Sequence, residues 1–257
     1  MTLNKTLTIS YYTFKEIWKS KILLNVFFVG IGLMIVTYVA TEFTYGVPER
    51  VALDFGLGML SLSSLAISLF LGVGLLSKEI ESRTVYMVIA RPVPRYSFIL
   101  GKLIGLMGIQ AVNVIILSLM TMTATKFLGG EINGLILWAI GFIFLESLML
   151  LLVVVLLSLL ANNILSVLFS LVLLLLGHVI KDTQEISFVK SNPLVVKILE
   201  AYHFVLPAFY KLNLKDFVIY KNELPLSYLA GNFTYAILYS GFLLLVVVFL
   251  FQRKNLD

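Results

Sequence analysis

Residues 134–180 read GLILWAIGFIFLESLMLLLVVVLLSLLANNILSVLFSLVLLLLGHVI. Two apolar runs, 134–160 and 164–180, are parted only by Ala161-Asn162-Asn163. A helix crosses the ~30 Å hydrocarbon core with about 20 residues. The whole stretch is therefore far too long for one crossing, and the Asn pair reads as a polar tight turn between two antiparallel spans. Working outward, further apolar runs lie at 22–41, 55–77, 98–124 and 231–251. The expected fold is all-α and membrane-integral, with six transmembrane helices in one domain over 1–257.

Composition agrees. The chain is 60% hydrophobic and 13% charged, with a mean hydropathy of +1.02. Soluble domains are nearer 45–50% apolar and about 25% charged, so a single water-facing globule is excluded. Disorder, which needs low hydrophobicity, is excluded too. Six spans leave no room for a soluble catalytic domain of about 100–150 residues. With no cysteine in the sequence, disulfides, thiolate catalysis and Cys-ligated metals are ruled out. The first run lacks the cleavage site of a signal peptide and reads as a retained span.

Basic residues set the orientation. With the N-terminus inside, the inner segments hold eleven: Lys5, Lys15, Lys19, Lys21, Lys78, Arg83, Arg91, Arg95, Lys102, Arg253 and Lys254. The two short outer loops hold only Arg50 and Lys126, and the long outer segment 181–230 dilutes six basic residues with five acids. The positive-inside rule then places both termini in the cytoplasm. Residues 1–21 precede the first span. In them Leu3, Leu7, Tyr11, Phe14 and Trp18 recur at helical spacing, which predicts an amphipathic helix along the membrane interface.

The most charged stretch, SKEIESRTVYMVIARPVPRYSFILGK (77–102), falls between spans two and three, with its loop at 78–97. Lys78–Ala90 suits a short helix with Glu79 and Glu81 near its start, favourable to the helix dipole. Arg91-Pro92-Val93-Pro94-Arg95 then breaks it, and the chain re-enters the membrane at Gly101-Lys102. At these residues the sequence resembles the ABC-2 type transporter permeases: E-x-E-x-x-T (Glu79, Glu81, Thr84), P-x-x-R (Pro92, Arg95) and G-K (Gly101, Lys102). Arg83 stands where that family usually has Gly. The order of elements is similar to the family's along the whole chain. The segment 206–217 is similar to the subgroup containing the membrane subunit of the nitrous-oxide-reductase maturation transporter.

The resemblance implies a permease subunit of an ATP-binding-cassette transporter in a prokaryotic inner membrane. It implies that this loop is the coupling helix docking on an ATPase subunit. It further implies two ATPase copies carrying ATP and Mg, and a second permease copy, identical or related. The chain itself has no phosphate-cradling G-x-x-x-x-G-K-[ST] loop, so it is expected to be no enzyme and to bind no cofactor or metal.

Within the spans, Glu146 is the one acid near a span centre. A charge there costs about 2.5–3.5 kcal/mol on insertion scales. Gln110, Asn113, Ser64 and Ser68 lie at similar depth, which suggests a polar cluster serving as a substrate path or as a helix–helix staple. His178 and His203, without a carboxylate or thiolate constellation, make no metal site; His178 reads as an interfacial hydrogen-bonder. Gly101, Gly105 and Gly108 predict close helix packing. Two other readings are open: an ion-coupled secondary transporter and a non-transporting membrane assembly factor.

Overall fold

The computed structural model describes residues 2–20, 22–43, 47–81, 94–185, 206–220 and 224–253. Among them the regular elements are all helical: α1 (Thr2–Lys19), α2 (Ile22–Glu42), α3 (Pro48–Glu81), α4 (Arg95–Phe127), α5 (Gly134–Leu160), α6 (Asn163–Glu185), a 3-10 turn (Phe209–Leu212), α7 (Lys215–Ile219) and α8 (Leu226–Arg253). Four of them, α3, α4, α5 and α8, are long and apolar enough to cross a membrane. The apolar stretches Phe28–Glu42 of α2 and Asn163–Val179 of α6 are shorter.

Neighbouring helices alternate in direction. Gly56 abuts Thr121 while Gln110 bonds the Ser64 carbonyl, so α3 and α4 are antiparallel. Ser68 meets Ser147 and Gly72 meets Val154, so α3 and α5 run parallel. The turn at Ala161-Asn162 reverses the chain into α6; the Asn162 side chain accepts from the Leu165 N–H at 2.9 Å and so caps the new helix. On α8, Phe233 packs on Trp138 of α5, and Phe251 stacks on Phe98 of α4. The end of α3, the start of α4, the α5–α6 turn and the end of α8 therefore share one end of the bundle.

Met149 to Val155 of α5 are all buried. A helix apolar all round belongs in a core, and here α3, α4, α6 and α8 surround it. The outward sides are apolar as well: Phe169, Leu175, Leu238 and Leu245 are all exposed, as lipid-facing positions should be. Lipid tails are as apolar as leucine, so small residues and polar contacts must do the joining.

The glycines of α4 show how. A Cβ at Gly101 would stand 2.8 Å from Ile9 Cβ, and one at Gly105 would stand 2.8 Å from Thr13 Cβ. One at Gly108 would stand 3.0 Å from Phe14 Cδ2. Thus α1 runs beside α4 in the same direction, in close contact. Thr13 is buried, whereas Leu7, Tyr11 and Trp18 of the expected apolar stripe remain exposed. The side of α1 that carries Ile9, Thr13 and Phe14 meets protein, and Leu7, Tyr11 and Trp18 of the apolar stripe are left for the bilayer.

Several expected boundaries move. The chain is already helical from Arg95, so Gly101-Lys102 lies in the second turn of α4 and is not the point where the chain bends. Residues 78–81 continue α3, and α3 already begins at Pro48. The outer segment loses 181–185 to α6 and 226–230 to α8.

Candidate functional site

Two groups of interior polar side chains reach between helices. The first ties α3, α4 and α5. Gln110 Nε2 donates to the Ser64 carbonyl at 2.9 Å, and Asn113 Nδ2 donates to Ser64 Oγ at 3.0 Å. Ser63 Oγ donates to Asn113 Oδ1 at 3.2 Å. Ser68 Oγ lies 2.9 Å from the Ser64 carbonyl and 2.8 Å from that of Ser147. Ser64, Ser68, Gln110 and Asn113 are each 0% exposed, and a buried polar group is costly unless bonded. Interhelical bonds of this kind average about 0.6 kcal/mol each, with a maximum near 1.7. The Gln110 Oε1 atom, also buried, has no donor among the described residues.

The second group is Glu146 and His178. The carboxyl of Glu146 does not join the first group. It turns to α6, where its Oε1 lies 3.1 Å from His178 Nε2. The distance is that of an ion pair, yet the contact is too far off-line for a hydrogen bond, so Oε1 lacks a proper donor. His178 Nδ1 sits 3.0 Å from the Leu174 carbonyl. An acceptor there requires the proton on Nδ1. His178 thus faces a carboxylate, contrary to the expectation that no such partner stands near it.

A cover lies over this pair. The Phe209 ring stacks on the His178 imidazole, with centroids 6.0 Å apart and planes 4° apart. Gly177 admits it: a Cβ there would be 2.7 Å from the Pro207 carbonyl oxygen. Tyr235 of α8 pins the cover, its hydroxyl accepting from the Ala208 N–H at 2.8 Å. Lys211 Nζ stands 4.4 Å from the Tyr235 ring centroid, a cation–π contact. Ala208, Phe209, Leu212, Leu214 and Val218 are buried. Their burial shows this segment packed into the bundle.

The loop motif is described in part. Glu79 and Glu81 belong to the last turn and a half of α3. Thr84 and Pro92 lie outside the described residues. Arg95 opens α4, and its Nη1 donates to the Gln252 carbonyl at 3.3 Å, tying that helix to the end of α8. Gly101 serves the approach of α1. Lys102 Nζ lies 5.8 Å from the Phe98 ring centroid and lines a crevice beside α1.

Neither Ser63 nor His178 stood in the expected polar cluster. His178 was findable by counting: Glu146 and His178 each lie fifteen residues from the Ala161-Asn162-Asn163 turn. Among the described residues no group of three or more His, Asp or Glu side chains could hold a metal ion. No model of a known protein family matches the chain, and no curated protein matches it.

Proposed function

We propose that this chain is the transmembrane permease subunit of an ATP-binding-cassette transporter, an exporter, with six spans and both termini in the cytoplasm. Two ATPase subunits supply the energy and a second permease copy completes the path. Residues 79–95 form the contact through which nucleotide-driven closure pulls on the bundle. The observation that carries the reading is mechanical. The two helices bearing this segment are the longest among the described residues, α3 with 34 residues and α4 with 33. At 1.5 Å per residue each extends about 50 Å, well beyond a ~30 Å core. They are bonded to each other by Ser64, Gln110 and Asn113, and α3 is bonded to α5 through Ser68. A pull on the segment would therefore reach the bundle interior through joined helices rather than dissipate in a loop.

The test is coupling. The complex purified from its own membrane should contain an ATP-binding-cassette protein and hydrolyse ATP. Glu79→Ala with Glu81→Ala should uncouple hydrolysis from transport while insertion stays intact. Unchanged coupling removes the assignment of the segment.

A second reading, an ion-coupled transporter, draws on the contact between Glu146 and His178 inside the bundle. Transport that survives ATP depletion and collapses with the ion gradient selects it.

A further inference from the structure

The outer side of α1 carries charge at a height where the bundle wall is otherwise apolar. Ile9 lies against Gly101 and Thr13 against Gly105, so α1 keeps step with α4, turn for turn, and stands upright beside it. Gly105 is ten residues beyond Arg95, about 15 Å from that end of the bundle at 1.5 Å per residue. Lys15, Glu16 and Lys19 follow Thr13 by two to six residues and so stand about 18–24 Å from that end. Counted from the α5–α6 turn at Asn162, that height on α6 belongs to Leu175, Leu176 and Val179, which are 64%, 47% and 55% exposed. Such a wall faces lipid. Lys15, Glu16 and Lys19 are exposed as well, and charge in lipid is costly enough that charged side chains there turn to protein or to water.

The pattern of these residues says what covers them. Thr8, Tyr12 and Lys19 recur at i, i+4 and i+11, one stripe turned away from α4. Tyr12, 63% exposed, lies at its centre; Lys15 flanks it on one side and Glu16 on the other. Lys19 is in the last turn of α1, where the helix carbonyls favour a cation. Lys15 and Glu16 have no such relief. Lys15 Nζ lies 5.7 Å from the ring centroid of Tyr11 on its own helix, and Glu16 has no ion-pair partner among the described residues. A base and an acid on opposite flanks of one stripe make a self-complementary surface, which is what a twofold interface requires. Copies in one bilayer share their orientation, so their twofold axis runs along the helices. Rotation about it brings Glu16 of one copy beside Lys15 of the other at the same height.

We propose that two copies of this chain pair through α1, with Tyr12 against Tyr12 and Lys15 against Glu16 across the twofold axis. This assigns a face to the second copy without resting on the transport reading, since the pairing needs neither ATPase nor substrate.

The sequence has no cysteine, so a single introduced one reports alone. The full chain carrying Tyr12→Cys is oxidised mildly in its native membrane and is expected to form a disulfide-linked dimer. Leu175→Cys and Leu238→Cys, exposed on α6 and α8, should give about tenfold less. In proteoliposomes, Lys15→Glu alone and Glu16→Lys alone should each weaken dimerisation about tenfold, as loss of one interfacial charge pair does. Co-expressed, these two variants should pair with each other, and the double swap Lys15→Glu with Glu16→Lys should pair with itself. Those rescues separate lost pairing from lost folding. Absence of a Tyr12→Cys dimer overturns the proposal, whether that position then labels from water with a membrane-impermeant maleimide, meets lipid, or links to another protein. Dimers linked only through α6 or α8 overturn this face and leave the permease reading standing.

Discussion

Replacing His178 by leucine removes the partner of a carboxyl whose side chain is 4% exposed. Breaking a buried pair by deleting one member costs about 3–5 kcal/mol, because the other is left uncompensated. The ring also stacks on Phe209, worth about 0.5–1.5 kcal/mol; leucine recovers part of that by packing. A total loss of about 3–5 kcal/mol is expected. Glu146→Leu leaves only a neutral imidazole nitrogen unpaired on a side chain 29% exposed, a loss of about 1–3 kcal/mol. Removing both is the informative step. Replacement of a buried pair by apolar residues is often neutral or stabilising, so the double variant should be more stable than His178→Leu alone. The coupling energy then exceeds the Glu146→Leu loss and is at least about 1 kcal/mol, within the range for contacting residues. The assay is reversible unfolding in lipid–detergent bicelles with rising dodecyl sulfate. A coupling energy below about 0.5 kcal/mol, with the double variant losing the sum of the two single losses, would show that the two groups do not hold each other.

Other outcomes follow from the same geometry. Asn113→Ala removes the bonds to Ser63 and Ser64 and should cost about 1–2 kcal/mol in the same unfolding assay. Tyr235→Phe deletes the acceptor of the Ala208 N–H; deuterium exchange across 206–214 should speed up about tenfold, while exchange in α5 is unchanged. Gly105→Leu would drive a side chain into Thr13 and the Ser10 carbonyl, displacing α1 from α4. Deuterium exchange across 2–19 should speed up in that variant, while exchange in α5 stays at the parent rate.

The sequence is clearest where one physical demand dominates. The run 134–180 had to be two helices because no bilayer is thick enough for one, and Asn162 and Asn163 are where polarity returns. The helix of 2–19 was visible from its spacing. Its partner was not, because the face toward α4 mixes Thr6, Ser10 and Thr13 with Ile9 and Phe14 and so carries no clear hydropathy signal. The matching signal lay in Gly101, Gly105 and Gly108, whose spacing announces a close neighbour without saying which. The polar residues on α3 and α4 were legible as a set, since each is expensive alone. The pairing of Glu146 with His178 was not, because depth had to be counted from the turn. The burial of Phe209 was hidden as well: aromatics near a span end read equally as interface anchors, and only the gap left by Gly177 shows where the ring goes.

The sharpest test of the proposed drive is a photoactivatable cross-linking residue at Thr84, activated in intact native membranes and followed by mass spectrometry. An adduct with an ATP-binding-cassette subunit, formed from the cytoplasmic side, is the predicted result. Position 84 reachable only from outside the cell, or adducts that never include an ATPase, would contradict it.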